Sequence, residues 1–511
     1  MNWLLNLSYI DQEVKEGKVV KQYLSALSET PIFRVSNFFS SIRTKFSLFL
    51  ILLMVILFFG VLSAEAANHY IRDGGLGSLT GTGDCTTWED AHACDNFPAT
   101  LVRGDTYYVA SGSYGAKTWN TGINGTQVIT IKKATISDQG IATGWLASYA
   151  TGQAVWTAFT VSTSYWTFDG VTGGGPGAWE TGLGFLLDMP DSGGTQAEAI
   201  TFGPGVTQIS FRHMEIAGRG IGYAQETDLF YIVNPLSNLT IAYSFLRDVN
   251  RTMILTWPAG ASGITVEYTK FARNGLTAHR EAWSAGTDSN VIVRYNQFED
   301  ICGTSNIAIV NGLGTASNWD IYGNVFYHTG DNASCQINTG IIYTRDDLGG
   351  GSCDETTVVC VSAVNWHIYN NVFAHIRDVF QESGQVRVDG NPTNFVVENN
   401  IWYANQGGWS GCYNVTTCDY NWMYGNTGGN VTNGAHDIAG SANPFVSSTP
   451  WTSGNWALAA GIGGLALASA YNVDMNGVTR GADGVWDRGA LEFNSGGANP
   501  PPSAPQNLRI Q

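Results

Sequence analysis

The sequence predicts an all-β solenoid, a coil of short parallel strands whose turns stack in register. Three observations point to it. A phrase made of a polar residue, a spacer and a bulky apolar residue returns as YSFL (243–246), YTKF (268–271), YNQF (295–298), GNVF (323–326), NNVF (370–373), NNIW (399–402) and YNWM (420–423). Its closing residues, Leu246, Phe271, Phe298, Phe326, Phe373, Trp402 and Met423, lie 25, 27, 28, 47, 29 and 21 residues apart, and periods of this size mark stacked repeats. Two places before these anchors stand Ser244, Thr269, Asn296, Asn324, Asn371, Asn400 and Asn421.

Each turn opens with a strand. ITVEYTKF (264–271), VIVRYNQF (291–298) and FVVENNIW (395–402) begin with β-branched and apolar residues in period two, and WDIYGNVF (319–326) and WHIYNNVF (366–373) do so with an aromatic lead. Runs this short make no amphipathic helix. One turn alone leaves its strand edges and apolar face bare, whereas stacking pairs the edges and joins the faces into one core. The aligned Asn residues suit a tight corner, because Asn tolerates left-handed backbone. They also suit an inward ladder of amides repeated at about 4.8 Å, which Ser244 and Thr269 continue with hydroxyls. The segments 126–134, 164–173 and 207–218 read as earlier turns with longer excursions.

The ends of the chain differ from the coil. Residues 1–45 form an N-terminal extension ending in a charged lead-in, Arg43 and Lys45, and 46–66 hold an apolar stretch and Ala64-Glu65-Ala66. That order is a secretory signal peptide or, left uncleaved, a membrane anchor, and only the anchor implies membrane association. Residues 67–494 form the repeat domain. Residues 495–511 are a Pro-rich linker ending in SAPQNLRI, which resembles the first strand of a fibronectin-type-III module. With 42 acidic against 25 basic side chains and a net charge of -17, the chain repels nucleic acid. All eight cysteines follow the apolar stretch, an even number that in an exported chain favours disulfides. The close pairs 85/94, 353/360 and 412/418 suggest local staples, and 302/335 a clip between turns. No Cys/His set has zinc spacing.

HYIRDGGLGSLTGTGDCTTWEDAHA with LVRGDTYYVASGSYG (101–115) at the start, and NPFV (443–446) with DMNGVTRGADGVWDRGALEF (474–493) at the end, resemble secreted right-handed parallel β-helix proteins of the pectate-lyase-like superfamily. The closing pattern keeps Asp487, Gly489, Ala490 and Glu492. The resemblance implies an all-β, single-stranded right-handed parallel β-helix with a short N-terminal capping helix over Thr86–Ala91, and an exported protein. Activity is not implied, since this scaffold carries lyases, hydrolases, epimerases and noncatalytic adhesins. Lyases of the superfamily use calcium with a catalytic Arg or Lys, and no complete set of that kind, nor the clustered aspartates and Gly-His pair of its hydrolases, can be matched here.

A second column follows two residues after each anchor: Asp248, Arg273, Asp300, His328, His375 and Ala404. Charged residues at successive turns mean that the chain has rounded a corner and faces solvent, with Arg377 nearby. A groove across such a face suits an extended polysaccharide or cell-surface glycan. Arg273, Asp300, His328, His375 and Arg377 are the candidate catalytic residues, for elimination from a uronate or for hydrolysis. Asp248, Trp283 and Trp409 are the candidate substrate contacts, the two indoles as sugar platforms. Asp346, Asp347 and Asp354, in the long gap before Phe373, are candidate ligands for Ca2+ through hard carboxylate oxygens. The alternative for the column is a solvated face tied by ion pairs on a noncatalytic surface or adhesion protein.

Overall fold

The computed structural model describes residues 66–74, 83–190, 197–257, 260–275, 280–309, 315–330, 335–344, 362–377, 385–390 and 392–494. Almost all regular structure in them is β, and every strand pairing between named strands is parallel. Residues 1–65, the linker, and Cys353 and Cys360 lie outside the described set; within it no helix is long and apolar enough to cross a membrane.

From Phe185 onward each turn of the chain lays one strand on each of three ladders. The first ladder runs from Asn68–Ile71 to Thr417–Asp419 through twelve strands. The second, the anchor ladder, includes Phe185–Asp188, Met214–Ala217, Phe245–Val249, Lys270–Asn274, Gln297–Glu299, Val325–Tyr327, Val372–Ala374, Ile401–Tyr403 and Trp422–Tyr424. The third includes Thr227–Tyr231, Thr252–Leu255, Glu281–Ala285, Ser305–Ile309 and Ile342–Thr344. Ala154–Val161 joins the last two: its start pairs with Phe185–Asp188 and its end with Ala197–Phe202.

The anchors stack on one another. Leu246 faces Phe271, and the register continues through Phe298, Phe326, Phe373, Trp402 and Met423. The rings of Phe271, Phe298, Phe326 and Phe373 follow at 4.6, 4.4 and 5.1 Å. On the first ladder Trp319, Trp366 and Phe395 do the same at 4.6 and 5.3 Å. These side chains are buried and form one apolar core.

A buried chain of amides runs beside the anchors. Asn324 Oδ1 accepts the backbone N–H and the Nδ2 of Asn296 at 2.9 and 3.0 Å. The Nδ2 donation repeats from Asn324 to Asn371, Asn371 to Asn400 and Asn400 to Asn421. Each Nδ2 also donates to a backbone carbonyl, such as that of Val293 or Ile321. Thr269 N donates to Asn296 Oδ1 and Ser244 N to Thr269 Oγ1. The left-handed corner falls one residue earlier, at Tyr243, Tyr268, Tyr295, Asn370, Asn399 and Tyr420. A second, exposed amide chain links Asn290, Asn318, Asn365 and Asn394, and these residues do have left-handed backbone.

The predicted capping helix is absent: residues 85–93 form bends and turns, with His92 N and Ala93 N both donating to Glu89 O. The Cys85–Cys94 disulfide closes this loop, and Trp88, fully buried, packs on Tyr70, Trp145 and Tyr149. A loop pinned at both ends and drawn inward at its third residue has no room for regular turns. Disulfides also join Cys302–Cys335 and Cys412–Cys418.

Beyond the last strands, residues 443–494 return along the outside of the coil. Tyr471 donates to Asp320, Trp451 stacks on His375 at 4.2 Å, and Arg488 donates to Asn421 O. The Asp487–Glu492 segment closes this lobe. Buried Arg480 pairs with Glu492 and donates to the carbonyls of Asp487, Gly489 and Ala490.

Candidate functional site

Residues on either side of each anchor point outward, because side chains alternate along a strand. On the anchor ladder this places Glu215, Phe245, Lys270, Gln297 and Val325 in one row, and Arg247, Ala272, Glu299 and Tyr327 in the next. Opposite charges therefore meet across turns. Arg247 pairs with Glu215 and Asp248 at 2.6 and 2.7 Å, Arg273 with Asp248 at 2.7 Å, and Lys270 with Glu299 at 2.7 Å. Tyr327 donates to Glu299 at 2.6 Å. Burial works against ionisation of Asp248, but hydrogen bonds from Arg273 and Arg247 outweigh it and hold its carboxyl below the usual range.

The excursion between Asp169 and Phe185 lies over the middle of this face. Leu183 packs with Phe245 and Ala272, and Glu180 pairs with Lys270. Gly174 makes the close approach possible. Its φ is 75°, and a Cβ there would sit 1.9 Å from Tyr243 O.

A cavity opens on each side of the excursion. The first, about 450 Å³, is lined by Lys133, Gln153, Thr172, Glu180 and Glu215 among others. Lys133 is 2% exposed, and its Nζ donates to Ala134 O and Tyr149 O at 2.8 and 3.0 Å. Among the described residues no carboxylate pairs with it, and burial pushes its ammonium down to about 8. Its stem fits because residue 184 is glycine, where a Cβ would stand 2.9 Å from Lys133 Cγ. Across the cavity Glu215 is held by Gln153 Nε2 at 2.9 Å and by Arg247. The second cavity, about 410 Å³, lies between the excursion and the C-terminal lobe, and Trp179, Gln297, Val325, Trp456, Met475 and Asn476 line it. From Glu215 to Gln297 is three ladder steps, about 14 Å at the strand spacing.

The column two residues after the anchors does sit at a corner: Asp248, Arg273, Asp300, His375 and Ala404 all have positive φ. Its members do not converge. Asp248 and Arg273 join the charged face just described. Asp300 instead accepts Thr329 N and Oγ1 at 2.8 and 2.6 Å, bracing the next corner. His328 is buried, with Nε2 against Ile301 O and Nδ1 accepting Arg377 N, and burial pushes its imidazole down to about 4. His375 Nδ1 donates to His328 O, and Trp451 covers the ring. Arg377 bridges to Gln406 through its backbone. These three residues form a second group that staples turns together.

The expectation for Trp283 is corrected: it is 1% exposed, packs on Trp319 in the core and donates to Thr256 Oγ1, so no sugar can reach its face. Trp409 is 50% exposed and remains accessible. Asp346, Asp347 and Asp354 lie outside the described residues, among which no group of three or more His, Cys, Asp or Glu is placed to hold a metal ion. Sequence reasoning missed Lys133, although the signal was present. In ITIKK (129–133) the buried positions are Ile129, Ile131 and Lys133, so period two puts this lysine on the inward face.

No family model matches the sequence, and no curated protein matches it. Among solved structures, a PL6 family polysaccharide lyase from Pseudopedobacter saltans aligns with a TM-score of 0.38 and 12% identity, over 84% of this chain and 97% of that one. The PL6 family alginate lyase AlyGC aligns with a TM-score of 0.28 and 9% identity, over 73% of this chain and 53% of that one. Superpositions this loose carry no functional inference.

Proposed function

We propose that the chain is an extracellular, right-handed single-stranded parallel β-helix that binds an extended polysaccharide along the outer face of its anchor ladder. The observation that carries the reading is the pair of cavities flanking one excursion over one ladder face. A polymer lying along the coil meets an equivalent position every strand spacing, about 4.8 Å, and the excursion holds it between the two cavities. The disulfides favour an oxidising, extracytoplasmic setting.

A second reading adds cleavage, favoured by Lys133. An amine with a pKa near 8 is partly free base in mildly alkaline solution, which is what a proton acceptor needs. In a uronate chain it takes the C5 proton, the C4–O bond breaks as the C4=C5 double bond forms, and the leaving oxygen takes its proton from water.

The test is to incubate the purified protein with acidic and neutral glycans, with calcium and with chelator, measuring binding, unsaturated uronate absorbance and reducing ends. Binding with unsaturated ends that vanish in Lys133→Met, while binding persists, is the expected result. Reducing ends without unsaturation move the chemistry to hydrolysis, and binding without products is the outcome of a noncatalytic surface protein. Failure to bind every glycan contradicts the proposal.

A further inference from the structure

The two cavities differ in chemistry. Lys133, Glu180 and Glu215 line the first. Among the described residues the second has no charged lining side chain; indole, thioether and aliphatic groups from Trp179, Trp456, Met475, Val325 and Leu491 meet the amides of Gln297, Asn455 and Asn476. Its volume, about 410 Å³, falls in the range of about 300–1,000 Å³ usual for small-molecule sites.

The polar groups there are not fully engaged among the described residues. Gln297 is 7% exposed; Tyr327 gives its single hydroxyl proton to Glu299 at 2.6 Å, so its 3.4 Å contact with the Gln297 amide is weak and the amide stays open to a ligand. Trp456 is 5% exposed, and its buried Nε1 has no hydrogen-bond partner. Indole faces beside the amides of Gln297, Asn455 and Asn476 suit a ligand that combines an apolar face with hydroxyl groups. An anionic ligand does not suit it. A carboxylate would be desolvated with no cation to meet it, beside Glu299, whose carboxylate already takes Lys270 and Tyr327. A pyranose ring presents an apolar C–H face to indole and hydroxyl oxygens to amide N–H groups, and carries no charge.

We propose that the second cavity is a subsite for a neutral sugar ring. The inference rests on the reading of a glycan along this face and narrows it: the polymer places an uncharged residue here and another residue beside Lys133.

Tryptophan fluorescence tests it, because Trp179 and Trp456 line the cavity. The full chain is titrated with cellobiose, mannobiose and xylobiose, and separately with digalacturonate, in the wild type, Gln297→Leu, Asn476→Ala and Asn394→Ala. The expected result is saturable quenching by at least one neutral disaccharide. Gln297→Leu weakens it at least ten-fold, Asn476→Ala weakens it independently, and Asn394→Ala, in the exposed outer amide column, leaves it unchanged. Digalacturonate does not compete. The inference is overturned if no neutral disaccharide binds, if both amide variants leave binding unchanged, or if digalacturonate competes. Polymer capture run on the same variants separates the two readings. Capture that persists unchanged in Gln297→Leu and Asn476→Ala removes the subsite and leaves the groove, whereas wild type that captures no polymer removes the groove reading.

Discussion

Lys132 and Lys133 are neighbours with opposite fates. Lys132 leaves the strand outward and pairs with Asp138 at 2.5 Å, while Lys133 enters the buried row behind Ile131. Its ammonium drops from 10.5 to about 8 because burial disfavours the charged form. Between pH 8 and 10.5 the unfolded chain therefore holds a proton that the folded chain does not, and stability rises with pH across that window. Below pH 8 the whole cost is present, on the order of 3 kcal/mol. Lys133→Met removes the charge and keeps much of the stem. Melting curves are expected to show the variant more stable than wild type at pH 7, with the advantage shrinking by pH 10. A difference independent of pH contradicts this account of the residue.

At the scale of the element, two columns of the same residue type do different work. The inner amides are buried and bonded on both sides; the outer ones, from Asn290 to Asn394, are bonded to each other but face water. Asn371→Ala leaves Asn324 N without its acceptor and removes the side-chain donor to Ile321 O, while Asn324 Nδ2 keeps its bond to Val293 O, a loss of roughly 1–3 kcal/mol. Asn394→Ala exposes its neighbour to solvent and is expected to cost less than about 1 kcal/mol. Urea unfolding of the two variants checks the contrast, and equal losses contradict it. The inner column and its anchors were legible because stacking forces equivalent residues to one offset from a bulky side chain. The outer column carries a weaker signal, because each of its residues precedes a first-ladder core residue, Val291, Trp319, Trp366 or Phe395, whose type varies from turn to turn. Two explanations offered for one Asn position prove to belong to different columns: the inner one forms the ladder, and the outer one adopts the left-handed backbone.

Across the whole molecule, the parts that escaped sequence reasoning are those that break the repeat. The excursion carrying Trp179 and Glu180, and the lobe carrying Trp451 and Trp456, have no period, and their position depends on contacts with turns far away in sequence, such as Glu180 with Lys270 and Trp451 with His375. The column after the anchors was correctly placed at a corner, but its offset could not reveal that the returning lobe covers His375 or that His328 spends both ring nitrogens on backbone. Coil and site thus follow different logic. Nearest-neighbour stacking builds the ladders, and the non-repeating segments laid over them make the cavities.

Hydrogen–deuterium exchange with the glycan that binds best tests the central claim most directly, because it locates the ligand on the coil. Binding along the anchor ladder predicts slowed exchange in residues 172–184, 270–274 and 454–457, with the outer face of the first ladder at Thr240 and Thr265 unchanged. Protection confined to that first-ladder face, with the excursion exchanging as in the free protein, would contradict it.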